Sequence, residues 1–464
     1  MGMMEHFEVI IVGAGISGIG AAVHLRRQCP ARSVVILEGR TNIGGTWDLF
    51  RYPGIRSDSD MYTLGYSFKP WTLAKAIADG PSILKYLNEA AREEGIHDKI
   101  RFGHHVTAAA WDSGAARWLV TMQHDGKDLR LSCNFLHMCS GYYDYAAGFT
   151  PEFTGRERFS GRIVHPQHWP ADLDYRGKRV VVIGSGATAM TLVPTLARDA
   201  GQVTMLQRSP TYVISRPAED RFANTLKRLL PPMLAYGIIR WRNTFFHQLV
   251  FGLARTWPGV VRKYLLARVR DQLDPGYDTA SHFTPRYKPW EQRLCLVPDG
   301  DLFAAIRSGQ ASVVTATGLK LLFLAGMAVT VDGRKVDFSR TFGYKGMMFS
   351  GVPNLSCVFG YTNSSWTLKA DLESDYLCRL LNHMQASGEQ IVTPVADPGI
   401  KPERWIDFSS SYFERALGSF PKQGSKAPWK LYQNYFKDIL LFRFARLADD
   451  SLRFSKAGQA VDIA

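Results

Sequence analysis

A buried strand running through a glycine turn into a helix occurs twice in this chain and constrains its fold more than any other feature. Residues 8–25, EVIIVGAGISGIGAAVHL, supply the first copy, with an apolar run suited to a parallel strand and a helix opening directly after the turn. Gly13, Gly15 and Gly18 occupy the GxGxxG positions. The first permits the sharp turn, the second lets backbone approach a pyrophosphate, and the third lets helix pack closely on strand. The helix N-terminus then faces the phosphate charge. Such a turn alone reads equally as structural, but a second strand at residues 33–37 ends in Glu38, where an acid binds ribose hydroxyls.

The second copy begins at residues 179–183, RVVVI, and continues through Gly184, Ser185, Gly186, Ala187, Thr188 and Ala189. Ala189 replaces the third glycine and is still small enough for close helix–strand packing. The following strand, residues 203–207, ends in Arg208 and Ser209, where the first copy has its acid. An arginine there accommodates a ribose 2′-phosphate, so NADPH is expected over NADH; a solvated arginine at a strand end is the other reading. Two such units let a visiting nicotinamide pass hydride to a cofactor held permanently, and a flavin suits that part.

At 464 residues the chain needs two or three packed units. A net charge of +14 admits nucleic acid, an anionic membrane or a phosphorylated cofactor as partner. No recognised nucleic-acid reader accompanies the charge, so no nucleic-acid partner is expected. The six cysteines show neither a CxxC pair nor metal-ligand spacing. No metal is therefore expected, a disulfide reductase is disfavoured, and a reducing cytoplasm fits. The N-terminus lacks the pattern of a secretion signal, and no apolar stretch suggests a spanning helix.

Between the two copies lie Gly44-Gly45-Thr46-Trp47 and the polar loop 51–58, RYPGIRSD, which can wrap a flavin or form an ordinary surface turn. Just before the second copy, Phe159, Gly161, His165 and Trp169 stand in the spacing F-x-G-x-x-x-H-x-x-x-W-P. That run resembles the fingerprint of Baeyer–Villiger monooxygenases, a branch of the flavin-containing monooxygenases. Residues 52–60, 292–298 and 361–366 resemble in particular the ethionamide-activating FAD-containing monooxygenase group. The resemblance covers nearly the whole chain.

It implies a class B flavoprotein monooxygenase, an α/β protein with two Rossmann-like dinucleotide-binding domains, for FAD and NADPH, and a helical insertion. Flavin contacts would fall on Gly13, Gly15, Ser17, Gly18, Glu38, Thr46, Trp47, Asp58 and Val106, with Arg56 and Ser57 beside Asp58. NADPH contacts would fall on Gly184, Ser185, Gly186, Ala187, Thr188, Ala189, Arg208 and Ser209. Arg293 would be the catalytic arginine and Asp58 the carboxylate that positions it, while His165 would hold the joint between the folds. Substrates would be O₂ and a small apolar ketone or sulfur compound, oxygenated through a C4a-(hydro)peroxyflavin. An N- or S-oxygenating relative without ketone activity, and an uncoupled NADPH oxidase, are the alternatives.

The expected parts are a first FAD-binding part at 1–150, a linker at 151–175 and a first NADPH-binding part at 176–220. A basic helical insertion at 221–285, a shortened second NADPH-binding part at 286–315, and a second FAD-binding part with C-terminal extension at 316–464 follow. Residues 221–270 carry ten Lys and Arg and no Asp or Glu, interleaved with apolar pairs. That stretch is open to four readings: contact with an anionic membrane on the inner face of the cell membrane, a cover for the substrate pocket, a subunit contact, or helices packed on the protein's own core. Compared with the family, roughly two dozen residues, about a hairpin plus a strand, are missing before Ala316. On that basis Ser312 to Thr315 should complete the FAD sheet, or that sheet should lack a strand and expose an edge.

Overall fold

In the computed structural model, which describes residues 4–148, 150, 156–292, 294–314, 327–361, 365–405, 418, 420–447 and 449–457, the first apolar run forms β1 (His6–Val12). Its last four residues are buried. The turn at Gly13 feeds α1 (Ile16–Gln28), and β2 (Val34–Leu37) lies parallel to β1, with Val9 opposite Val34. Strands buried on both faces need apolar residues throughout, which is why both read as unbroken Val/Ile/Leu runs. After α2 (Thr46–Leu49), α3 (Met61–Leu64) and α4 (Gly80–Glu93) come β3 (Ile100–Arg101), β4 (His105–Asp112), β5 (Arg117–His124) and β6 (Lys127–Met138). β6 pairs parallel with β1, so β1 has a neighbour on each side.

The second fold contains β7 (Arg179–Ile183), α5 (Ala187–Leu196), β8 (Gln202–Leu206) and β9 (Tyr212–Arg216). Three helices interrupt it: α6 (Arg221–Leu229), α7 (Pro232–Thr256) and α8 (Pro258–Arg270). It resumes with α9 (Thr279–Phe283), β10 (Leu294–Pro298), α10 (Asp301–Arg307) and β11 (Ala311–Val314). The chain then re-enters the first sheet through β12 (Ala328–Val331) and β13 (Arg334–Lys335). The hairpin β14 (Gly343–Tyr344) and β15 (Met348–Phe349) and the strand β16 (Leu355–Cys357) lead to α11 (Trp366–Ser387). The first sheet runs β13-β12-β4-β5-β6-β1-β2-β3, with β16 also on β6; the second runs β11-β8-β7, and β9 and β10 form a separate parallel pair.

This topology corrects the expectation for residues 312–315. Ser312, Val313 and Val314 lie opposite Thr204, Met205 and Leu206, so β11 is the outer strand of the second sheet and adds nothing to the first. The physical reason is continuity: β11 follows α10, which packs on α5, and a right-handed crossover returns such a strand to its own sheet. The first sheet keeps nine strands. The open edge belongs instead to β7, which among the described residues pairs only with β8. Val181 and Ile183 are 57% and 46% exposed, whereas Ile10 and Ile11 of β1 are fully covered.

Three apolar clusters hold these parts. One joins α1, α4 and α11 to Ala223, Ala235, Tyr236 and Ile239 of the inserted helices. A second fills the other face of the first sheet, and a third, in the second fold, takes in Val269 of α8 together with Tyr52. The insertion therefore packs on both folds. Within α11, Glu373 is fully buried, and among the described residues no hydrogen bond reaches either of its oxygens. Burial holds its carboxyl well above the usual range, with the Lys369 charge and the nearby Phe359 backbone offsetting only part of that.

Because the folded state keeps this proton and the unfolded state releases it above about pH 4.3, the group costs increasing stability as pH rises from there through its folded value. Glu373→Leu should raise the thermal midpoint, by an amount equivalent to about 1–3 kcal/mol at neutral pH. The gain should shrink as pH is lowered toward 5, as measured by calorimetry of both proteins.

Candidate active site

Ligands of open α/β sheets bind outside the carboxyl ends of the strands, and that edge of the first sheet gathers most of the expected flavin residues. Gly13 has φ +105°, a conformation disfavoured for any other residue, and a Cβ there would come within 2.6 Å of the Cys139 carbonyl. A Cβ on Gly18 would overlap the Gly13 carbonyl. Gly15 caps α1 with extended backbone and no side-chain hydrogen bond, and the first turn carries no acid. Its amides thus remain available to an anion. Gly15 and Gly45 face each other from different loops, a Cβ on Gly45 lying 3.2 Å from the Gly15 Cα. The two backbones touch there, and a side chain on either glycine would push the loops apart.

Glu38 is buried at the end of β2 and accepts the Ala14 amide at 2.7 Å and the Arg40 amide at 3.0 Å. Burial raises its carboxyl above the usual range, against those two hydrogen bonds and the Arg40 charge. A carboxylate has about four acceptor sites, so two remain for ribose hydroxyls. Thr46 and Trp47 open α2, which follows the Gly44-Gly45 turn. Val106 is half-buried near the start of β4, two residues after His104, whose backbone N–H donates to the Glu38 carbonyl. Ser17 is buried and accepts the Trp366 indole N–H at 2.8 Å, which ties α11 to the glycine turn.

Several residues of this edge carry no sequence signal. Tyr145 places its hydroxyl beside the contact of the two glycine loops, 3.3 Å from where a Gly45 Cβ would stand, and burial pushes its phenol up to about 12. Arg40 reaches the Gly45 carbonyl at 3.2 Å and the buried Asp48 carboxylate at 2.7 Å, bracing the second glycine loop. Tyr142, Phe359 and Trp366 form a ring cluster at the ends of β6 and β16.

On the polar loop, Ser57 is buried and closes a local turn with Ser59, while Asp58 is half-buried. Arg56 points away to the second fold, where it pairs with Asp301 at 2.5 Å and donates to the Met190 carbonyl. Its geometry is that of a tie between the folds. Arg293 lies outside the described residues, as do Thr315 to Gly318.

In the second fold Gly184 has φ +135°, and Gly186 caps α5 with extended backbone and no side-chain hydrogen bond. A Cβ on Gly186 would meet nothing within 4 Å, so Ala187 and Thr188 open the helix beneath unobstructed space. Ala189 is buried against the turn. The Ser185 hydroxyl donates to the Ser209 carbonyl at 2.9 Å, which holds exposed Arg208 beside the turn. Between the folds, His165 accepts the Gln167 amide and packs its ring where a Gly148 Cβ would be, and Gln167 donates to the Asp144 carbonyl at 2.7 Å. Burial lowers the His165 imidazole, and neighbouring His168 adds to that. Trp169 packs on the core of the second fold, while Phe159 and Gly161 lie on the exposed part of the linker.

The flavin-binding monooxygenase-like family model matches residues 76–256, and a model described as an NAD(P)-binding Rossmann-like domain matches residues 11–73. The chain is 50% identical to the FAD-containing monooxygenase EthA of Mycolicibacterium smegmatis (strain ATCC 700084 / mc(2)155) over 488 positions, covering 99% of both chains. The alignment exceeds the 464 residues by 24, so this relative has at least that many residues without a counterpart here. A solved oxidized steroid monooxygenase bound to NADP superposes with a TM-score of 0.71 at 21% identity, covering 97% of this chain and all of that one. The OTEMO complex with FAD and NADP superposes with a TM-score of 0.65 at 20% identity, covering 84% and 86%.

Gly18→Ala should abolish flavin retention, read as loss of the visible absorbance of the purified protein, because the new methyl group and the Gly13 carbonyl cannot share one space. Arg208→Ala should weaken NADPH binding by about 1.5–3 kcal/mol, roughly ten- to a hundredfold, and leave NADH binding almost unchanged. Titrating both nucleotides against both proteins measures the difference.

Proposed function

Because this chain belongs to the FAD-containing monooxygenases of the flavin-binding monooxygenase-like family, we propose that it uses FAD and NADPH to place one atom of O₂ into apolar ketones, giving esters or lactones, and to oxygenate sulfur compounds. Each turnover would consume substrate, O₂, NADPH and a proton, and release oxygenated product, NADP⁺ and water. The observation that carries this reading is the pair of uncapped glycine turns on one chain, with an acid beside the first and an arginine beside the second.

The flavin, when bound, supplies the redox and oxygen chemistry. The chain's own residues would position it: the α1 amides would take the pyrophosphate, and Glu38 would take the ribose. The α5 amides and Arg208 hold NADPH. Arg293 would present a permanent cation to the negative charge that develops on oxygen, since a guanidinium holds its proton at neutral pH. Asp58 would orient that cation by charge pairing. The linker, seated on the first fold through His165 and Gln167 and on the second through Trp169, would set how the folds approach.

The open β7 edge favours a second reading, in which NADPH is oxidised but the nicotinamide is held too loosely for full coupling. The two separate on stoichiometry. With a ketone and a thioether offered in turn, ester or sulfoxide formed per NADPH consumed should approach one; a ratio near zero with every substrate supports the oxidase instead. Arg293→Ala should keep flavin bound and reducible while product formation falls by at least a hundredfold, as followed by stopped-flow absorbance and product chromatography.

A further inference from the structure

The inserted helices leave an apolar surface that the described residues do not cover. On α7, Tyr236 and Ile239 face the core and are buried, as is Arg240, whose guanidinium donates to the Tyr62 and Gly65 carbonyls and pairs with Asp371. The opposite face carries Leu234, Ile238, Trp241, Phe245 and Leu249, spaced four, three, four and four residues apart, each between 41% and 54% exposed. A helix apolar on both faces is ordinarily enclosed on both. Trp241 stacks on Phe436 of the helix Tyr435–Ile439, and the same surface there continues into Leu440 and Phe444, 62% and 74% exposed. On α8, Val260 and Tyr264 point outward, with Lys263 and Arg270 exposed on one side and Arg268 on the other.

We propose that the outer face of α6 to α8 docks this protein on an anionic lipid bilayer, with the α7 stripe entering the interface and the flanking cations meeting headgroups. Charge selects this occupant. Residues 221–270 hold ten Lys and Arg and no Asp or Glu. Arg240 is buried against Asp371 and Arg242 pairs with Asp220, but Arg221, Arg228, Lys263, Arg268 and Arg270 are exposed. A second copy applied to the same face would therefore bring like charges together, whereas anionic lipid neutralises them. Long basic side chains beside an apolar stripe can lie along it and still reach phosphates. Among the described residues no helix is long and apolar enough to cross a membrane, so the surface would lie on the bilayer. Apolar substrates concentrate in the same phase. The inference stands independently of the monooxygenase reading, because binding is measured without turnover.

The test floats the flavin-loaded full-length protein with vesicles of phosphatidylcholine alone or with about one third phosphatidylglycerol, at low and high salt. Binding to the anionic vesicles should be at least tenfold tighter, should weaken several-fold at high salt, and should shift tryptophan emission to the blue. The double variant Ile238→Ser/Phe245→Ser should lose at least tenfold in vesicle binding while keeping its flavin and its NADPH oxidation rate. Lys263→Glu/Arg270→Glu should lose the preference for anionic lipid. Equal binding to both vesicle types, no binding to either, or a dimer that the Ser variant converts to monomer would each overturn the proposal.

Discussion

A buried cation joins the parts of this molecule. Arg240, on the middle of α7, is enclosed by the loop after α3 and by α11, where Asp371 supplies its counter-charge. Asp371 also lies 3.6 Å from His24 of α1, whose other nitrogen meets Asp375 at 3.0 Å. Burial works against charge on His24, but the two carboxylates outweigh it and raise the imidazole to about 9, so it stays protonated at neutral pH. Removing one member of such a network leaves a buried charge unpaired, at a cost of about 3–5 kcal/mol. The network makes the insertion part of the first nucleotide fold, since the helix with α7's exposed stripe is the one that Arg240 anchors beneath the glycine turn's own helix.

The two folds are unequal partners. In the first, β1 is flanked on both sides, its glycine turn is braced by Arg40 and Tyr145, and Trp366 reaches Ser17 from α11. The second presents the same turn on a strand that, among the described residues, pairs on one side alone, with β-branched side chains in solvent. Its links to the first include Arg56–Asp301, Tyr52 within its core, the backbone bonds of Ala76 and Ile77 to the Ala218 carbonyl, the inserted helices and the linker. A tightly kept cofactor suits the first cradle and an exchanging one the second.

Residues that act through local backbone geometry are legible in the amino-acid order. Gly13, Gly18, Gly184 and Ala189 are needed by the turn itself, and Glu38 and Arg208 follow at a distance set by one helix and one strand. Arg56 shows the boundary of that reasoning. Its neighbours suggest a place beside the flavin, yet its partner Asp301 lies 245 residues away. Likewise 311–314 reads as a strand in any context, and nothing in those four residues says which sheet it joins.

Two nucleotide folds, the kind of nucleotide each suits and the sign of the charge on the insertion follow from the amino-acid order, because each is encoded in runs short enough for neighbouring residues to dictate. Three-dimensional packing was needed to establish that β11 extends the second sheet, that β7 pairs among the described residues with β8 alone, that Arg56 bridges the folds and that α7 turns an apolar face to each side. Those outcomes depend on which distant segments meet, and pairing across hundreds of residues is chosen by the packing of the whole chain.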